Sequence, residues 1–126
     1  MDIRENLKYT QDHEWINVNG NVGVIGLTDY AQKELGDIVY VDIKPIGTEL
    51  KKGEVFSTIE AVKTVADCYM PMSGKIIEKN EKLSTNPELI NKDPYGEGWI
   101  VKIEIKNLQE LDELLNAEDY KKLIGL

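Results

Sequence analysis

Glycines at positions 20, 36, 47, 53, 74 and 98 cut the chain into short pieces. Between them, apolar residues alternate with polar ones rather than recurring every three or four. A period of two is that of a strand with one buried face. Four stretches carry it: Trp15 to Leu27, Ile38 to Lys44, Val55 to Val62 and Gly98 to Ile105. Val39, Val41 and Ile43 are expected on one face of the second stretch, and Val55, Ile59 and Ala61 share a face with Ser57 in the third. Two glycine-led runs, Gly53 to Ile59 and Gly74 to Lys79, echo each other but are too short to establish a repeat. Many short strands joined by glycine turns predict a mainly β chain folded as a sandwich or barrel.

Helical patterning is confined to three places. Thr28 is a good N-cap, Asp29 suits a first turn, Ala31 and Leu35 lie four apart, and Gly36 can close the end, which predicts a short helix over 28–35. Asn107 can cap a segment with Glu110 at its third position and Leu108, Leu111 and Leu115 as the apolar stripe. A second turn after Asn116 carries Tyr120, Leu123 and Ile124 and ends at Gly125, so C-terminal helices are expected near 108–124. Asn86-Pro87 can open a single turn through Ile90.

The chain has 126 residues and no low-complexity linker, so residues 1–126 are read as one domain. Its net charge of −8 disfavours nucleic acid and anionic membranes as partners. The longest uncharged stretch, Trp15 to Thr28, is interrupted by Asn and Gly and is shorter than the ~20 apolar residues of a membrane span. Asp2, Arg4 and Glu5 open the chain with no apolar run after them, and Cys68 is the only cysteine. The expected setting is therefore reducing, a bacterial cytoplasm, or a mitochondrial matrix if the chain is a processed organellar one.

Lys63 stands between a strand reading 54 to 62 and another reading 64 to 71, which puts it at a hairpin tip. It is one of fourteen lysines, so position alone does not single it out. His13 and Glu14 adjoin Trp15, but the chain has one histidine and no cysteine cluster, so no metal is expected and His13 is read as a packing residue. Cys68 is read as a small apolar side chain in the strand after Lys63. Gly96 and Gly98 around Glu97 lack the third glycine and the strand-to-helix context of a phosphate loop, which leaves a turn.

The frame Ile59-Glu60-Ala61-Val62-Lys63-Thr64-Val65-Ala66-Asp67, followed by Pro71-Met72-Ser73-Gly74, resembles the lipoylation segment of the H proteins of the glycine cleavage system. Tyr9-Thr10-Gln11-Asp12-His13-Glu14-Trp15 is similar to that family's opening motif. Gly26 to Gln32 and Leu35 to Val39 resemble its helix and following strand, and Asn86 to Asn91 with Pro94 to Trp99 its C-terminal half. The resemblance runs from about Leu7 to Leu123, with the motifs in the same order. It implies a biotinyl/lipoyl-type flattened barrel or sandwich hybrid, and a non-catalytic carrier with lipoate attached by a lipoate ligase or lipoyl transferase to Lys63. It also implies three enzyme partners. A pyridoxal-phosphate glycine decarboxylase (P protein) loads an aminomethyl group, a tetrahydrofolate-dependent aminomethyltransferase (T protein) unloads it, and dihydrolipoyl dehydrogenase (L protein) restores the disulfide. The loaded cargo is an amine, cationic at neutral pH, and Glu14 and Asp67 are the candidate carboxylates to shelter it.

This chain departs from the family at three places. Ala61 replaces a common Ser, Thr64 a frequent Ala, and Glu34 a His found in some relatives. None removes the acceptor amine. Biotin carrier domains use a similar hairpin lysine but flank it with methionines, where this chain has Val62 and Thr64. An enzyme on a lipoyl-like fold would need a nucleophile, a base and an orienting group, and no such constellation is present. The remaining alternative is an H-like relay passing lipoate to other complexes.

Overall fold

The computed structural model describes residues 1–126. Nine strands run in the order β1 (Lys8–Tyr9), β2 (Glu14–Asn19), β3 (Val22–Leu27), β4 (Ile38–Ile43), β5 (Glu49–Leu50), β6 (Val55–Ala61), β7 (Val65–Tyr69), β8 (Gly74–Lys79) and β9 (Val101–Ile105). Helices α1 (Asp29–Leu35), α2 (Leu89–Lys92) and α3 (Ala117–Leu123) connect or flank them, with 3-10 turns at Glu81–Ser84 and Leu108–Glu113. All pairings are antiparallel, in a six-stranded sheet ordered β1-β2-β3-β9-β8-β5 and a three-stranded sheet ordered β4-β6-β7. This is the mainly β sandwich that the alternation predicts. No helix is long and apolar enough to cross a membrane.

The alternation along β2 explains how the six-stranded sheet is buried on both faces at one end. Ile16 joins Ile25, Ile103, Ile76, Phe56 and Ile59 in the main core between the sheets. Its neighbour Trp15 points the other way, into a second cluster with Leu7, Tyr9, Ala117 and Tyr120 under α3. The Trp15 indole lies across Gly26, its partner on β3, where a Cβ would come within 2.7 Å of the ring. Its Nε1–H donates to the Pro94 carbonyl at 3.0 Å, so the 94–99 turn is tied to the same cluster.

Several sequence expectations need correction. The run from Trp15 to Leu27 is a hairpin, β2 and β3, turning at Gly20 and Asn21. In β4, Val39 is 53% exposed while Ile38 and Val41 are buried, because a bulge between Ile38 and Tyr40 shifts the alternation by one. A second irregularity, between Val55 and Ser57, turns Phe56 into the core and leaves Val55 half-buried, while Ser57, Ile59 and Ala61 face inward as expected. The last strand begins at Val101, not Gly98, and the single turn after Pro87 is α2, over Leu89–Lys92. The segment 108–113 is a 3-10 turn with three residues per turn, so Leu111 and Leu114 pack on the core and Leu108 is exposed. Leu115 instead exchanges backbone hydrogen bonds with Tyr9. The 28–35 helix is α1, with the Thr28 hydroxyl accepting from Ala31 N–H.

Candidate functional site

Lys63 occupies the tip of the β6–β7 hairpin. The pairs Ile59–Ala66 and Glu60–Val65 lead up to it, and Ala61 N–H closes the loop on the Thr64 carbonyl at 2.8 Å. Val62, Lys63 and Thr64 are all exposed. The root of the loop is fixed: Val62 N–H donates to the Asp37 carbonyl at 3.0 Å. Gly36 lies beneath the lysine side chain, where a Cβ would make an ordinary contact 3.5 Å from Lys63 Cε, and its φ of 77° is what calls for glycine. A long amine on a short, anchored loop can be gripped by another protein's active site without deforming the sheet.

Glu14 begins β2 and is 1% exposed. Both carboxyl oxygens are engaged: Oε1 accepts from the Thr10 hydroxyl at 2.5 Å and Oε2 from Tyr69 N–H at 3.0 Å. Burial pushes its pKa up to about 7, with the two hydrogen bonds opposing and the Asp12 charge adding to the rise. Glu14 lines a cleft of about 270 Å³ together with Asp12, Lys52, Met70 and Glu113. Asp67 differs. It is exposed on the outer face of the three-stranded sheet, accepts from the Thr58 hydroxyl opposite at 2.9 Å, and does not line that cleft. The two carboxylates nonetheless flank one strand, because Glu14 grips β7 at Tyr69 and Asp67 lies two residues earlier, about 7 Å along it.

The remaining sequence candidates are packing residues. The His13 ring lies 4.8 Å from Tyr30 and edge-on to Tyr120, its Nδ1 is 2.9 Å from the Tyr120 hydroxyl, and burial lowers its pKa. No group of three or more His, Cys, Asp or Glu is arranged around a common point. Cys68 is 1% exposed in the main core. Thr10 is the site residue that sequence reasoning carried only as part of a motif. Its hydroxyl accepts from Asp12 N–H and Glu14 N–H while donating to the Glu14 carboxylate, so it shapes the turn and aims the acid. A threonine two residues ahead of a turn's amide is the available signal.

The family model described as glycine cleavage H-protein matches residues 7–125. The chain belongs to the glycine cleavage H-protein family. It is 52% identical over 122 residues to the glycine cleavage system H protein of Carboxydothermus hydrogenoformans, covering 97% of this chain and 94% of that protein. It is 55% identical over 115 residues to that of Thermotoga maritima, covering 91% and 93%. Among solved structures, it resembles the crystal structure of a glycine cleavage system H protein from Mycobacterium marinum with a TM-score of 0.87 and 34% identity, covering 98% of this chain and all of that one. Membership of the H-protein family makes this chain a lipoyl carrier of the glycine cleavage system, with the system's enzymes as its partners.

Proposed function

We propose that this chain is a single, non-catalytic carrier unit whose only lipoyl acceptor is Lys63, served by a lipoate ligase or lipoyl transferase in the cytoplasm. It then visits the pyridoxal-phosphate glycine decarboxylase, the tetrahydrofolate-dependent aminomethyltransferase and dihydrolipoyl dehydrogenase in turn. When bound, the lipoyl group supplies two sulfurs able to take up an aminomethyl group and electrons. The chain's own residues supply attachment, reach and shelter.

The observation that carries this reading is the exposed Lys63 amine on a hairpin tip whose root is held by the Asp37 carbonyl. The surroundings fit the group by length. A lysine side chain extended by an eight-carbon acyl chain reaches about 15 Å from standard bond lengths. Along β7, Asp67 lies about 13 Å and Tyr69 about 20 Å from Lys63. An arm directed along this edge strand would end between the residue carrying one carboxylate and the residue gripped by the other. The ammonium of the cargo would then have Glu14 on the cleft side or Asp67 on the outer face as its candidate carboxylate, and the burial of Glu14 would limit water on the cleft side.

Incubation with a lipoate–protein ligase, lipoate and ATP, followed by intact mass and peptide mapping, tests the assignment. One lipoyl addition on the peptide containing Lys63 is expected, and none on Lys63→Arg. Lipoylation persisting on the arginine variant overturns it.

A further inference from the structure

We propose that Asn91, which belongs to another part of the sequence altogether, is a positioning residue for modification of Lys63. The inference rests on the assignment of Lys63 as acceptor. Asn91 is half-buried in α2, and its side chain makes three hydrogen bonds. Oδ1 accepts from Ile38 N–H at 3.0 Å, and Nδ2 donates to the Gly36 carbonyl at 2.8 Å and to Gln32 Oε1 at 3.1 Å. Gly36 and Ile38 bracket Asp37, whose carbonyl receives Val62 N–H, and Val62 immediately precedes Lys63. Asn91 thus clamps, from both sides, the corner on which the lysine loop rests.

The corner needs the clamp because β4 does not hold it through a continuous ladder. Ile38 pairs with Ala61, but the bulge at Val39 breaks the register before pairing resumes at Tyr40. With the ladder interrupted, the orientation of the Gly36–Ile38 peptides falls to the Asn91 amide, the one group that bonds both. A modifying enzyme must tell Lys63 from thirteen other lysines by the backbone and side chains around it. A corner that shifts by a fraction of an ångström presents the amine out of line for transfer.

Lipoylation kinetics with lipoate–protein ligase test this on the full chain. Asn91→Ala and Asn91→Asp, which turns an acceptor oxygen toward the Gly36 carbonyl, should lower kcat/KM for lipoylation by about tenfold or more. Hydrogen exchange should quicken at the Val62 amide and stay slow at Ile59. Acetylation of Lys63 by a small reagent should keep its wild-type rate, which shows that the amine itself is as reachable as before, while slow exchange at Ile59 excludes general unfolding. Ile103→Val or Ile103→Ala, whichever lies nearer in Tm, controls for stability in the other sheet. If the Asn91 variants do not fold, Gln32→Ala, which removes one of the three bonds, should give a smaller fall in the same direction. Wild-type kinetics in the foldable variants, or an equal fall in the Ile103 control, overturns the proposal. A wild-type chain that takes no lipoate at Lys63 overturns the acceptor assignment itself, and the proposal with it.

Discussion

The Glu14 carboxylate, on a strand of the six-stranded sheet, accepts the backbone N–H of Tyr69, on the edge strand of the three-stranded sheet, at 3.0 Å. A side chain thereby satisfies a strand-edge amide that no neighbouring strand covers. The same bond makes a buried acid part of both the sandwich and the site. Glu14 is held where its charge is costly, with the Thr10 hydroxyl and the Tyr69 amide as its chief compensation.

Stability should carry the signature of this acid. A carboxyl whose pKa rises from 4.5 unfolded to about 7 folded binds more protons in the native state between those values. Its contribution is fully present below about pH 4.5 and is lost as pH rises through about 7. Glu14→Gln keeps an acceptor for Tyr69 and removes the charge. Denaturant melts should show the variant gaining on wild type with rising pH, by up to about 3 kcal/mol at pH 8 as an upper bound. A difference that does not change between pH 4 and 8 would show that Glu14 titrates normally.

The loaded carrier should depend on the same carboxylate more than on Asp67. Glu14→Ala leaves the Lys63 loop untouched, so lipoylation should proceed at the wild-type rate. The loaded form should nevertheless release formaldehyde and ammonia faster in the absence of the transferase. Asp67→Ala should have a smaller effect, since an exposed ion pair contributes at most about 1 kcal/mol. Equal release rates for wild type and both variants would reduce the two acids to ordinary surface and core carboxylates.

Tyr120 joins α3 to the N-terminus of α1. It is fully buried, stacks on Tyr9 at 4.5 Å between centroids, and its hydroxyl sits 2.7 Å from Thr28 Oγ1 and 2.9 Å from His13 Nδ1. Tyr120→Phe keeps the stacking and removes a hydrogen-bond partner from buried Thr28 and half-buried His13, so unfolding free energy should fall by about 1–3 kcal/mol. A melt within error of wild type would mean that water replaces the hydroxyl.

The sandwich, the short helix and the lysine tip were legible because each depends on local chemistry: alternation, a threonine cap, and turn residues between two strands. Val39 and Val55 depart from the expected faces because an irregularity in each strand shifts the alternation without any change in residue type to announce it. Glu14 could be named from its motif, but its burial could not, since acids rarely go inside. The clamp by Asn91 was invisible because it acts between residues more than fifty positions apart, through a side chain that in sequence reads as one more polar turn residue.

Cys68 faces the core, and the burial that hides it also pushes its thiol pKa well above the ordinary range, with Glu14 and Asp67 adding to the rise. Thiol–disulfide exchange begins with a thiolate. A carrier whose prosthetic arm alternates between dithiol and disulfide is at constant risk of capture by any reactive sulfur within its own sweep. Here the chain's one sulfhydryl is both buried and held protonated, so such an arm has no rival sulfur inside the molecule.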